Sequence, residues 1–135
     1  MTDRLRSEHS EIELRLDRLA VALTSGSTAA ARTAYAEAWR LAREHYAGEE
    51  GLFFTAVRPQ LPALTEKMER QHGEARELAG HLEDPDLPES EWLWLARRWL
   101  AITQHNIIEE ERELFPLAER LLPPCDMLND TGKTP

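Results

Sequence analysis

Apolar positions in this chain recur at alternating steps of three and four residues, in four separate stretches. Leu5, His9, Ile12, Leu16, Leu19 and Leu23 mark the first, and Tyr35, Ala38, Ala42, His45, Glu49, Leu52 and Ala56 the second. Leu64, Met68, His72, Ala75, Ala79 and Leu82 mark the third; Trp92, Leu95, Trp99 and Ile102 lead into His105 in the fourth. This spacing puts each set on one face of an α-helix. Breakers fall between the stretches: Thr24–Ser27, Pro59 with Pro62, and the linker 84–88. Helices are therefore predicted over about 3–23, 28–57, 62–83 and, from an Asp86/Glu89 capping box, to about 122. Val, Ile and Thr are sparse, and nothing reads as a strand. Short connections favour antiparallel neighbours, so the predicted fold is all-α, an up-down-up-down four-helix bundle over 1–122. The tail 123–135 is predicted to be disordered.

Composition narrows the classes. A chain of 135 residues, 41% hydrophobic and 30% charged, suits one soluble helical domain with one continuous core. No apolar run approaches the ~20 residues that span a bilayer, and the first fifteen residues are too charged for the apolar region of a signal peptide. No membrane association and a cytoplasmic location are expected. Cys125 is the single cysteine, which excludes an internal disulfide and a thiolate cage. A net charge of −9 argues against a nucleic-acid partner. Part of that charge lies in two clusters, Glu49–Glu50 and Glu109–Glu111.

The apolar stripes carry polar residues that need a reason. One histidine on a buried face is ordinarily a hydrogen-bonded core residue. Here His9, His45, His72 and His105 all fall on the predicted stripes, one per helix; with stripes covering roughly three positions in seven, chance gives about 3%. His81, nine residues after His72, should face outward. Two of the four are followed by a carboxylate one turn on, His45-x-x-x-Glu49 and His105-x-x-x-Glu109, which sets imidazole and carboxylate side by side. An unpaired buried carboxylate costs several kcal/mol, and a multivalent cation removes that cost. Nitrogen and oxygen donors without thiolate suit iron, manganese or zinc. Four histidines with two carboxylates exceed one tetrahedral zinc site and fit two metals sharing carboxylates.

The halves of the chain also echo each other. His9-Ser-Glu-Ile is matched by His72-Gly-Glu-Ala, His45-x-x-x-Glu-Glu by His105-x-x-x-Glu-Glu, and Leu52–Phe54 by Leu114–Pro116. Two copies of a helix pair suggest a pseudo-twofold bundle with one shared site.

With these motifs the sequence resembles the hemerythrin-like, or HHE cation-binding, family from residue 3 to about 122. The resemblance implies a hemerythrin-like bundle holding two non-haem iron ions, carboxylate-bridged and oxo- or hydroxo-bridged. His9 and His45 would bind one iron, His72 and His105 the other. Glu49 and one glutamate of the fourth helix would bridge them. For that bridge the apolar stripe below the site selects Glu110 and the stripe above selects Glu109; Glu110 is favoured, with a π-bulge absorbing the extra residue. Oxygen carriers of the family have a further histidine where this chain has Arg76, so the site looks like the four-histidine, two-carboxylate members and the iron-cluster repair proteins. The function implied is a diiron protein binding or reacting with a small oxidant (oxygen, peroxide or nitric oxide), with an oxidoreductase consuming peroxide or nitric oxide as its enzymatic form. The alternative is metal binding, iron storage or oxygen sensing without turnover. Glu50 and Glu111 are expected beside the site, and only one of Trp92 and Trp94 can face inward.

Overall fold

The computed structural model describes residues 1–122; Cys125 and the tail expected to be disordered lie outside the described residues. Helix α1 (Thr2–Ser25) ends on Gly26, whose φ of +79° is the left-handed stop that glycine reaches without a Cβ clash. Ser27 caps α2 (Thr28–Gly48) by accepting from the Ala30 amide. The rod continues without a break through a five-residue π-turn, π1 (Glu49–Phe53), into α3 (Phe54–Val57). Pro62 opens α4 (Pro62–Leu82), a position where its missing N–H costs nothing. The last rod comprises α5 (Glu89–Glu109), a second π-turn, π2 (Glu110–Leu114), and α6 (Phe115–Leu121). Among the described residues there are no strands, and the four rods form the expected bundle. The packed pairs include α1 with α2, α4 with α5, and α1 with α5. Among the described residues no helix is long and apolar enough to cross a membrane.

The predicted capping box does not form. Pro88 precedes the first residue of α5, and Asp86 instead donates its backbone N–H to the Asp84 carboxylate at 2.9 Å in a turn.

Both π-turns shift the buried face. In each, the residue after the turn donates its N–H five positions back, Phe54 to Glu49 and Phe115 to Glu110. One extra residue per turn rotates everything downstream, so Leu52, assigned to the core by periodicity, is 56% exposed. The neighbours Phe53 and Phe54 are both fully buried, as are Leu114 and Phe115. An ordinary α-turn would direct adjacent side chains about 100° apart. Burying a Phe or Leu side chain is worth about 1.5–3 kcal/mol, which favours the wider turn here.

Along α5 and into π2 the inward stripe is Trp92, Ala96, Trp99, Thr103, Asn106 and Glu110. Leu95 and Ile102, expected on the axis, pack at its flanks instead. The reason is volume: with two tryptophans fully buried on this face, the neighbouring inward positions, Ala96 between them and Thr103 one turn after Trp99, are small. Trp92 donates its indole N–H to the Leu82 carbonyl at 3.1 Å, whereas Trp94 is exposed beneath the Arg98 guanidinium.

The core divides into two apolar clusters, one containing Ile12, Tyr46, Ala75 and Ile107, the other Leu5, Phe53, Met68 and Leu114. On every rod the residue between these paired positions is polar and buried: His9, Glu49, His72 and Glu110. A polar layer thus crosses the bundle with dry packing above and below it.

Candidate metal centre

Glu49 and Glu110, each the first residue of a π-turn, lie fully buried in that layer. Glu110 turns its two oxygens to different partners. Its Oε1 lies 2.9 Å from His9 Nε2 and 4.0 Å from His45 Nε2, while its Oε2 lies 3.1 Å from His72 Nε2 and 3.2 Å from Asn106 Nδ2. Glu49 Oε1 lies 3.1 Å from His45 Nε2 and 3.2 Å from His72 Nε2, yet neither Glu49 oxygen has an aligned hydrogen bond. Ligand atoms of His9, His45, Glu49 and Glu110 all fall within 4.8 Å of one another. Donors about 2.0–2.2 Å from a shared ion stand ~4 Å apart when opposed, so this group matches the size of a cation's first shell.

The outward nitrogen of each buried histidine meets its own carboxylate. His9 Nδ1 lies 2.7 Å from Glu111, His45 Nδ1 2.7 Å from Glu8, and His72 Nδ1 2.8 Å from Glu50. With Nδ1 held from outside, each ring directs its Nε2 at the centre, the arrangement that orients metal-binding imidazoles. Arg76 donates two 2.8 Å hydrogen bonds to Glu50 and so steadies the His72 anchor. Tyr46 stacks on the His72 ring at 3.9 Å between centroids; its buried hydroxyl has no aligned hydrogen bond among the described residues. Tyr35 packs away from the centre, against Trp92 and Trp99.

These contacts set the charge state. Burial opposes protonation of His45 and His72, but the facing carboxylates prevail and hold both pKa values well above the ordinary imidazole range. Burial also opposes ionisation of Glu110, yet its imidazole partners hold its pKa well below the usual range. Glu49 goes the other way: burial, then the Glu110 charge, raises its pKa. Glu50 resists burial through His72 and Arg76 and falls to about 2. Without a cation, protons on imidazoles balance the buried carboxylates.

The structure brings together five of the seven residues predicted for the site: His9, His45, Glu49, His72 and Glu110. It leaves His105 and Glu109 outside. The His105 side chain is 62% exposed and pairs with Glu109 at 2.5 Å; Glu109 in turn accepts from Lys67 Nζ at 2.8 Å and Gln71 at 3.0 Å. His81 is exposed, as its spacing required. The position expected for His105 belongs to Asn106, fully buried one residue later. The physical reason is the α5 register: α-helical geometry through Glu109 places residue 106, not 105, one turn before Glu110 on the same face. The internal echo is accordingly offset by one from the predicted match, with Glu110–Glu111 the counterpart of Glu49–Glu50, each pair opening a π-turn. The interval back from Leu114–Pro116 carried that signal. Glu8 and Gln71 were missed as site residues. Each directly precedes a buried histidine, but reaches across to a partner on another helix that periodicity does not reveal.

A recess of about 310 Å³ between α1 and α2 reaches His45 past Glu8, Glu11 and Glu44. Comparisons with curated proteins and with solved structures gave no significant match. The hemerythrin HHE cation-binding domain, in contrast, matches residues 1–118, the span that carries every helix of the buried histidine and carboxylate layer, and the chain belongs to that family.

Proposed function

We propose that this is a non-haem iron protein whose buried centre reacts with a small oxidant: oxygen, peroxide or nitric oxide. The observation that carries the reading is the pair of fully buried carboxylates facing three imidazole Nε2 atoms, with both Glu49 oxygens lacking an aligned hydrogen bond. A buried polar atom left unsatisfied costs about 1–3 kcal/mol, and a cation would remove that cost while taking up the imidazoles. The donors fit iron: three nitrogens, two carboxylates and no thiolate, with a recess of about 310 Å³ reaching His45. His9, His45 and His72 would bind through Nε2, and Glu49 and Glu110 through their carboxylates. Glu110, with one oxygen toward His9 and His45 and the other toward His72, has the disposition of a carboxylate shared by two ions. Bound iron would supply a redox-active Lewis acid with open positions for a small ligand.

The chain's own residues set the conditions for that chemistry. Glu8, Glu50 and Glu111 fix the rings. The apolar clusters above and below exclude bulk water. Arg76 is engaged with Glu50, so it adds no donor where oxygen carriers have a further histidine.

Protein produced with ample iron should retain it through gel filtration. The anaerobically reduced protein should be oxidised by air and stay oxidised when oxygen is removed, and should consume added peroxide. Retained iron that does not react would indicate storage. Full return to the reduced spectrum would indicate oxygen carriage, and the absence of retained metal would defeat the reading altogether.

A further inference from the structure

The two halves of the bundle are chemically unequal at the centre. Four residues before the first glutamate of each π-turn stands His45 in one half and Asn106 in the other. The residue preceding the partner helix's buried histidine is Glu8 before His9 and Gln71 before His72. In the first half Glu8 accepts from His45 Nδ1 at 2.7 Å; in the second, Gln71 Oε1 accepts from Asn106 Nδ2 at 2.8 Å. A carboxylate–imidazole pair on one side is thus matched by an amide–amide pair on the other. Both members differ together, which is what the chemistry requires. An imidazole that presents its Nε2 inward gains from a charged acceptor behind it, whereas an amide N–H is satisfied by a neutral carbonyl.

The orientation of the amides is fixed from outside. Lys67 holds Glu109, and Glu109 Oε2 accepts from Gln71 Nε2 at 3.0 Å, which leaves Gln71 Oε1 to accept from Asn106. Asn106 Nδ2 therefore also lies against Glu110 Oε2, at 3.2 Å, and occupies the oxygen that faces His72. Asn106 Oδ1 is buried without a hydrogen-bond partner among the described residues.

We propose that the centre binds two cations unequally, one tightly between His9, His45, Glu49 and Glu110, and a second loosely and exchangeably on the His72 side, where Asn106 replaces an imidazole. The inference rests on the metal-binding reading above. Imidazole is the preferred donor for iron among those present, and a carboxamide oxygen is better matched to magnesium, calcium or manganese. On the His72 side an amide proton also competes for the shared carboxylate. Loss of a supporting partner alone costs about 10–100-fold in metal affinity; loss of the imidazole together with its carboxylate should cost at least as much.

The test is anaerobic calorimetric titration of the metal-free protein with Fe(II). The second ion should bind at least about tenfold more weakly than the first, a gap of ~1.4 kcal/mol, or too weakly to detect. The double variant Q71E/N106H rebuilds the Glu8–His45 pair in the second half and should bring the second step within about threefold of the first, by the same reasoning on the supporting partner. His105→Ala should leave the parent's curve unchanged. Two ions entering the parent in one unresolved step would overturn the proposal. So would loss of the second step in His105→Ala, which would mean that metal turns the helix to bring His105 inward. If the double variant does not fold, the parent titration and His105→Ala still decide. Failure of the parent to bind any Fe(II) would instead count against the metal-binding reading itself.

Discussion

Replacing Glu8 with alanine isolates the role of the outer carboxylates. Its Oε1 takes the Nδ1 proton of His45 at 2.7 Å, and that hydrogen bond, ahead of any other influence, lowers the Glu8 pKa. The side chain is 32% exposed, so water screens the pair, and its loss from the metal-free protein should cost only about 1 kcal/mol. The effect should be larger with metal bound, because a ring freed at Nδ1 can rotate and is a weaker base. Removing such a partner lowers metal affinity about 10–100-fold. At a free Fe(II) concentration ~100 times the dissociation constant, bound metal stabilises the parent by about 2.7 kcal/mol. A tenfold weaker site leaves about 1.4 kcal/mol and a hundredfold weaker one about 0.4 kcal/mol. A domain of this size shifts its Tm by roughly 3–6 °C per kcal/mol. The metal-induced rise should therefore fall from roughly 8–16 °C to about half or less. The assay is anaerobic thermal denaturation followed by circular dichroism, with and without Fe(II). Glu11→Ala is the control: it removes the same charge from the same recess, but Glu11 pairs with Arg15 and touches no histidine. Equal loss of the metal-induced rise in both variants would refute the anchoring argument and leave only the electrostatics of the recess.

Two further expectations concern the helix register and proton balance. Glu110→Ala should strip the metal, whereas Glu109→Ala, which breaks only contacts at the outer edge with Lys67, Gln71 and His105, should retain it and lose no more than about 1 kcal/mol; iron content and Tm report both, and the reverse order would place Glu109 in the centre. The raised pKa values of His45 and His72 give stability that is complete below the unfolded value of ~6.5 and is lost as pH rises through the folded values. The depressed pKa values of Glu110, Glu8 and Glu50 give stability that is present above the unfolded carboxylate value of ~4.3 and is lost as pH falls. The metal-free protein should therefore be most stable between about pH 5 and 6.5, with Tm falling toward pH 9; a Tm that climbs over that alkaline range would contradict the protonation assigned to the two imidazoles.

Helix number, order and ends were legible in the chain because they depend on local chemistry. Apolar periodicity, the stop at Gly26, the Ser27 cap and Pro62 in a first turn act within a few residues, and the predicted helix ends lie within a few residues of those observed. The buried His9, His45, Glu49 and His72 were legible for the same reason: each continues an apolar stripe laid down by a regular helix, before any π-turn on its own rod has shifted the buried face. The register around π1, α5 and π2 belonged to the tertiary structure. A π-turn adds a residue where two adjacent large side chains can be buried together, and that gain exists only once the neighbouring rods are in place. On α5 the hydrophobic scale favours Leu95, Ile102 and an apparent His-x-x-x-Glu motif. The space left around two buried tryptophans instead puts Ala96, Thr103 and Asn106 on the axis. The partnerships of Glu8 with His45 and of Gln71 with Asn106 span separate helices, so no spacing along the chain encodes them. Spacing along the chain is enough to make this protein a helical bundle with histidines and carboxylates in its core. Only the packing of one rod against the next decided that the fourth rod contributes Glu110 and an amide rather than a fourth imidazole, because a side chain's direction is set by what space its neighbours leave.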